Sequence, residues 1–136
     1  LENSGIAVDD SIIVHGNYNL QKIIELTNYL FELNNPPDGL VVVSDRLAVS
    51  AIKALKAKNI RIPEDVAIVS FNDEPVCTIV TPTLTSVAQP TLEMGKMAMS
   101  LLISQIENPA AQPKAEVMIF KTELKIRESS MRVNKI

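Results

Sequence analysis

The spacing of apolar positions changes repeatedly along the chain, and each change marks an element. Ile12-Ile13-Val14-His15-Gly16 is a short apolar run closed by glycine and predicts a strand. Over residues 20–33 the apolar positions Leu20, Ile23, Ile24, Leu30 and Phe31 recur at helical spacing. Pro36 and Pro37 stop that helix, and Leu40-Val41-Val42-Val43 follows without alternation, the pattern of a strand buried on both faces. Ser44-Asp45 offers a helix N-cap; beyond it Leu47, Ala48, Ala51, Ile52 and Leu55 share one side, Lys53 and Lys56 the other, and Asn59 is a C-terminal stop. After a polar turn over residues 61–65, residues 66–71 predict another strand, running into Asn72-Asp73-Glu74-Pro75. Strand and helix thus alternate three times. Parallel strands need crossovers of a dozen or more residues, which these helices supply, so the pattern predicts an α/β fold with a doubly wound, mostly parallel sheet. In such sheets ligands bind beyond the carboxyl ends of the strands. Those ends are His15-Gly16-Asn17-Tyr18, Ser44-Asp45-Arg46 and Asn72-Asp73-Glu74.

The last third has a different pattern. Leu84-Thr85-Ser86-Val87 predicts a short strand, Gln89-Pro90 a break, and residues 91–107 a helix. Its polar positions Glu93, Lys96, Ser100, Ser104 and Glu107 make one narrow stripe, and the rest of its circumference is apolar. Such a helix calls for a partner beyond the sheet, either further chain or another subunit. Residues 108–113 read as a linker and residues 117–126 as a strand with a polar face. The six basic and three acidic residues over 114–136 read as a solvated edge and tail.

Composition narrows the class. The 136 residues are the size of one ordinary domain, 46% are apolar and 21% charged, and this balance buries a core and excludes disorder for most of the chain. A net charge of −3 lacks the positive field that a stand-alone DNA-binding domain requires. The single cysteine, Cys77, excludes an intramolecular disulfide and fits a reducing, cytoplasmic setting. No apolar run approaches the about 18 residues that span a bilayer, so no membrane partner is expected. Leu1-Glu2-Asn3-Ser4-Gly5-Ile6 has the look of a helix end, which predicts a fragment of a longer protein cut inside a helix.

Few catalytic chemistries survive. His15 and Cys77 are the only residues of their types, so neither a metal cluster nor a nucleophile–histidine arrangement can be assembled; His15 reads as a loop hydrogen-bonder and Cys77 as a small core residue. Glycines at positions 5, 16, 39 and 95 cannot compose a phosphate-cradling loop, and no cofactor is expected. Asp45 after a buried strand is like the phospho-acceptor of a receiver domain, but the acidic pair Asp9-Asp10 precedes the first strand instead of following it. What remains is binding of a small hydroxylated ligand. Tyr18 would offer an aromatic face, and Ser44, Asp45, Arg46, Asn72 and Asp73 would offer donors and acceptors along one sheet edge. Taken singly, each has a plainer reading: Asp45 as a cap, Asn72-Asp73 as a turn, Tyr18 as packing.

Four blocks carry a resemblance. Pro37-Asp38-Gly39-Leu40-Val41-Val42-Val43-Ser44-Asp45-Arg46-Leu47-Ala48 is the first, and Arg61-Ile62-Pro63-Glu64-Asp65-Val66-Ala67-Ile68-Val69-Ser70-Phe71-Asn72-Asp73 the second. The third is Thr81-Pro82-Thr83-Leu84-Thr85-Ser86-Val87-Ala88-Gln89-Pro90, followed by Glu93-Met94-Gly95. In this order and spacing they resemble the carboxy-terminal part of a LacI/GalR-family transcriptional regulator. The similarity extends to Glu123-Leu124-Lys125-Ile126-Arg127-Glu128-Ser129-Ser130 and covers nearly the whole chain.

The resemblance implies a periplasmic-binding-protein-like core of two subdomains with an effector between them. Residues 1–88 and 114–130 would belong to the C-terminal subdomain. Residues 89–113 would form a crossover segment whose helix packs in the N-terminal subdomain, with the DNA-binding domain absent from these residues. By the same resemblance Tyr18 would stack on the effector ring, here after Asn17 in place of the family's Asp. Ser44 stands where many members carry Asn, and Asn72 where Asp commonly accepts from sugar hydroxyls; Asp45 and Asp73 match acidic positions that hold structure as well as ligand. The implied partners are a small-molecule effector, with a sugar as the leading guess, operator DNA through the missing domain, and a second copy of the chain. Val49, Ile52, Lys53, Val76, Ile79 and Val80 would lie at the dimer seam. The implied function is non-enzymatic sensing in the cytoplasm; the alternative is a periplasmic sugar-binding protein of a transport system.

Overall fold

The computed structural model describes residues 4–5, 7–108 and 117–132. Four strands form one sheet in the order β1-β2-β3-β4, with β1 at Gly39–Val41, β2 at Ala67–Asn72, β3 at Thr85–Ala88 and β4 at Glu123–Lys125. β1, β2 and β3 run parallel, in the register Leu40↔Ile68 and Ser70↔Ser86, while β4 returns antiparallel with Val87 opposite Leu124. The mostly parallel α/β sheet expected from the alternation is therefore present.

Helix α1, Leu20–Leu30, starts where the Asn19 side chain accepts from the backbone N–H groups of Gln21 and Lys22 at 2.9 and 3.2 Å. It ends three residues before the expected stop at 33. Helix α2, Asp45–Ala57, has the expected boundaries and stop. Asn59 takes a left-handed φ of 58°, which lets Ile60 N–H reach back to the Leu55 carbonyl at 3.0 Å and close the helix. α1 packs on α2, and α2 on the sheet, around Ala48, Ile52, Leu55, Val66, Ile68, Cys77 and Leu84. Leu40 and Val42 turn into this core, but Val41 and Val43 are exposed, so β1 is buried on one face and not on two.

Two expected strands differ from the structure. Residues 12–16 do not join the sheet. Asp9 accepts from the Ser11 N–H at 2.9 Å and from its hydroxyl at 2.6 Å, capping a 3-10 turn over Asp10–Ile12 that takes the Ile12 and Ile13 N–H groups into local bonds. The segment instead lies across a cavity of about 420 Å³ lined by α1, α2 and β1 residues, among them Ile23, Leu30, Leu40 and Ala51. Gly16 fits closely there, since a Cβ would meet the Ile23 and Leu26 methyls at 3.1 Å and those side chains would have to shift. The last strand is also shorter than the expected 117–126. Only the part opposite β3 finds a partner for its backbone.

Helix α3, Thr91–Glu107, has the expected bounds, and none of its residues is buried. Leu92, Met99, Leu102 and Ile106 are each more than half exposed. The linker expected at 108–113 lies outside the described residues apart from Asn108.

Candidate functional site

The carboxyl ends of β1 and β2 are built around one buried carboxylate. Asp45, at the first position of α2, is fully buried. Its Oδ1 accepts from the hydroxyls of Ser70 on β2 and Ser86 on β3, the latter at 2.7 Å, and its Oδ2 accepts from the Glu74 N–H at 2.7 Å. Ser86 Oγ in turn accepts from the Asp73 N–H at 3.0 Å. A helix start, two strands and the loop after β2 therefore share one hub. Both oxygens of Asp45 are engaged by the chain, so its role here is to shape the edge and not to face a ligand. Cys77 lies beside it, and burial first and the Asp45 carboxylate second push its thiol up to about 12; it is the core residue its surroundings in the sequence suggest.

The loop held by Asp45 is bent sharply. Asn72 and Asp73 have φ of 117° and 57°, and Tyr18 has φ of 43°, so three of the four non-glycine residues with positive φ among those described are candidate ligand residues. Strain of this kind persists only where the surroundings fix it. Asp73 lies 2.7 Å from Arg127 as a half-buried ion pair that lacks hydrogen-bond alignment. Glu74 pairs with Arg46 at 2.9 Å, with Arg46 itself largely exposed. Asn72 Oδ1 accepts from Gln89 Nε2 at 2.7 Å.

Ser44, Asp45, Asn72 and Asp73 are thus brought to one edge. Ser44 holds the N-cap position of α2, yet its side chain makes no capping bond, leaving the backbone carbonyl to accept from Ala48 at 2.9 Å. Tyr18 is 73% exposed, and its side chain makes no hydrogen bond to this cluster. Among the described residues no group of His, Cys, Asp and Glu is arranged to hold a metal ion, and no helix is long and apolar enough to cross a membrane.

The residues expected at a dimer seam separate into two groups. Ile52 is 2% exposed inside the core cluster, so its side chain belongs to the interior and is withdrawn from the seam. Lys53 and Ile79 are exposed, while Val49, Val76 and Val80 are partly covered and Val80 packs against the core.

The sequence reading missed Gln89 and the segment Arg127-Glu128-Ser129. The latter straps β3. Glu128 accepts from the N–H and hydroxyl of Thr83 at 2.8 and 2.9 Å, which hold its carboxyl below the usual range. Ser129, fully buried, accepts from the Thr85 N–H at 2.9 Å and donates to the Ile68 carbonyl at 2.7 Å. Arg127 donates to the Leu84 carbonyl at 2.7 Å. The only signal for these bonds is the run of hydroxyl residues Thr83, Thr85 and Ser86 on a short strand, which cannot name partners more than forty residues away.

A mostly parallel sheet with a polar, strained edge at its carboxyl ends is the architecture of a ligand-binding α/β domain. Residues 3–130 match the periplasmic binding protein-like domain family, and the chain belongs to it. Its relatives are LacI-family regulators. It is 32% identical over 131 residues to the HTH-type transcriptional regulator RegA of Clostridium saccharobutylicum, covering 96% of this chain and 39% of that protein. It is 31% identical over 130 residues to the HTH-type transcriptional repressor CytR of Escherichia coli strain K12, covering 96% of this chain and 38% of the repressor. Among solved structures, the complex of the transcriptional regulator CelR with cellobiose superimposes with a TM-score of 0.85 at 29% identity, over 95% of this chain and 39% of that one. The chain therefore spans about two fifths of the length of these relatives.

Proposed function

We propose that this chain is the C-terminal effector-binding and dimerisation part of a LacI-type transcriptional regulator that senses a small polar ligand, a sugar in the first instance. The observation that carries the reading is the strained edge held by Asp45, which sets Ser44 and Asn72 at the carboxyl ends of a sheet in a chain whose relatives are regulators. The cellobiose complex of a similar regulator supports a sugar as the class of ligand. In this reading residues 1–88 and 114–130 form the C-terminal subdomain, and residues 89–113 cross over so that α3 packs in an N-terminal subdomain. The exposed, apolar circumference of α3 supports that crossover.

The mechanism is coupling without catalysis. A ligand held between two subdomains favours the closed arrangement by its difference in affinity for closed and open states, and operator DNA favours one of the two. Each ligand therefore changes affinity for the other. The protein would act in the cytoplasm as a homodimer and bind DNA through an N-terminal domain. The test is a gel-shift titration of the full-length gene product on DNA from its own promoter, with and without a panel of mono- and disaccharides. Retained DNA whose binding changes with one sugar supports the reading. Absence of DNA binding, with a cleavable signal peptide encoded ahead of Leu1, overturns it in favour of a transport receptor. Micromolar sugar affinity for residues 1–136 alone would overturn the two-subdomain site.

A further inference from the structure

We propose that the gap between residues 12–16 and β1 is a slot for one further β-strand, an uncharged apolar strand of about five residues that the same gene product supplies from outside residues 1–136. The slot is an interaction surface within the longer polypeptide, and the inference goes beyond the effector reading without depending on it.

Both walls of the gap have backbone groups left over. The Asp38 carbonyl accepts from the Ala67 N–H and the Val42 N–H donates to the Val69 carbonyl, each at 2.9 Å, so the even-numbered positions of β1 turn toward β2. A strand alternates, so the Val41 N–H and carbonyl turn to the other edge, and β1 ends the sheet on that side among the described residues. On the other wall Ile12 and Ile13 commit their N–H groups to the Asp9 and Asp10 carbonyls, while Val14 and His15 make no backbone hydrogen bond among the described residues. No backbone hydrogen bond joins the two walls to each other. They line one cavity of about 420 Å³, which Leu26 and Leu30 of α1 and Leu47 and Ala51 of α2 complete.

The walls define the occupant. No Asp, Glu, Lys or Arg lines the cavity, so a charged occupant would lose its hydration without gaining a partner. A small apolar molecule would fill the space and leave two rows of backbone groups unpaired, whereas an inserted strand pairs both rows at once. Proteins guard an exposed apolar edge with charges or prolines; residues 39–43 have neither, and Val41 is 88% exposed. The two walls are joined through α1, the kind of crossover that parallel strands require. A source for the strand exists, because the aligned parts of RegA and CytR are 39% and 38% of those proteins. Residues 12–16 therefore have the pattern of a strand and stand apart from β1 because their neighbour is another segment.

The experiment uses the full-length gene product, with amide hydrogen exchange and cysteine cross-linking. Peptides covering residues 12–16 and 39–43 should exchange at least about a hundredfold more slowly than unstructured peptides of the same sequence, together with a third peptide from outside residues 1–136. Val41→Pro removes the N–H that faces the slot and keeps the even-numbered bonds to β2. It should speed exchange of all three peptides at least about tenfold and leave the β3 peptide unchanged. Ile13→Cys or Val14→Cys, each combined with Val41→Cys, should give no disulfide, since one intervening strand sets the walls roughly 9–10 Å apart. A bis-maleimide long enough to cross one strand should join them. Unprotected walls, or protected walls without a third peptide, overturn the proposal. A disulfide means that the walls close directly on each other, and protection that rises with protein concentration assigns the strand to a second copy; either result also overturns it. The gel shift with sugars reads a different property, so the effector reading and this inference fail separately.

Discussion

Helices α2 and α3 are both regular, and they have opposite fates. α2 has thirteen residues, seven of them buried, and its Lys53 and Lys56 are exposed; α3 has seventeen residues, none buried, although nine of them are apolar. The difference lies in where the apolar residues fall and what is present to meet them. In α2 they form one stripe that is buried throughout, and its Ala48, Ile52 and Leu55 join the core with the sheet residues. In α3 they wrap most of the circumference, a pattern that answers to a surface this chain does not supply among its described residues. Apolar content therefore reports a demand for burial, while the width of the stripe reports how many surfaces must meet it.

That contrast can be tested by substitution. Asp45→Ala should have the largest effect, about 3–5 kcal/mol of lost stability, because it strands two hydroxyls and the Glu74 N–H in the interior. Leu55→Ala, in the fully buried part of α2, should cost a similar or slightly smaller amount, about 3–4 kcal/mol. Urea denaturation checks both, and losses below about 1 kcal/mol would show that the hub and the stripe do not organise the body.

Acidification should act more mildly. The Arg61 guanidinium holds Asp65 down to about 2, and Thr83 holds Glu128 below its ordinary 4.5. Both carboxyls lie below their unfolded values, so the Asp65 contribution is present above its unfolded 3.8 and is lost as pH falls through about 2, and the Glu128 contribution is present above 4.5 and is lost as pH falls below it. The groups are exposed, so the loss is small; Asp65→Asn and Glu128→Gln should each flatten the urea midpoint between pH 5 and pH 2.5.

The smallest effect should come from α3. Leu102→Ala should change the stability of this chain by less than about 0.5 kcal/mol, since the residue is half exposed and alanine is a good helix former. The same substitution in the full-length product should cost several times more. Equal effects in the two contexts would show that α3 finds no partner in the longer protein.

Much of this was legible in the sequence, for reasons that are local. α2, β2 and α3 came from runs long enough to establish a period, and Asn59 stopped α2 because its side chain tolerates the left-handed turn. The polar clusters after the strands placed Ser44, Asp45, Asn72 and Asp73 at one edge. Residues 12–16 failed because an apolar pentapeptide leaves the choice to its flank, and Asp9 capped a turn just ahead of it. Asp45 was visible as a residue but not as a hub, since its three donors come from positions 70, 74 and 86. In the sequence Gln89 signals only a break before Pro90; the parallel pairing of β2 and β3 is what places its amide against Asn72.

The strap across β3 has a consequence in time. Thr83 and Thr85 are synthesised 42 to 45 residues before the groups that satisfy them on Arg127, Glu128 and Ser129. At ordinary ribosomal rates that interval is roughly 2–9 seconds. Within it α3, the helix with no buried residue, is made while β3 is still open along one side. The body of the molecule is thus finished by its late-translated residues, and a nascent chain stalled before residue 127 would hold a sheet that cannot yet close.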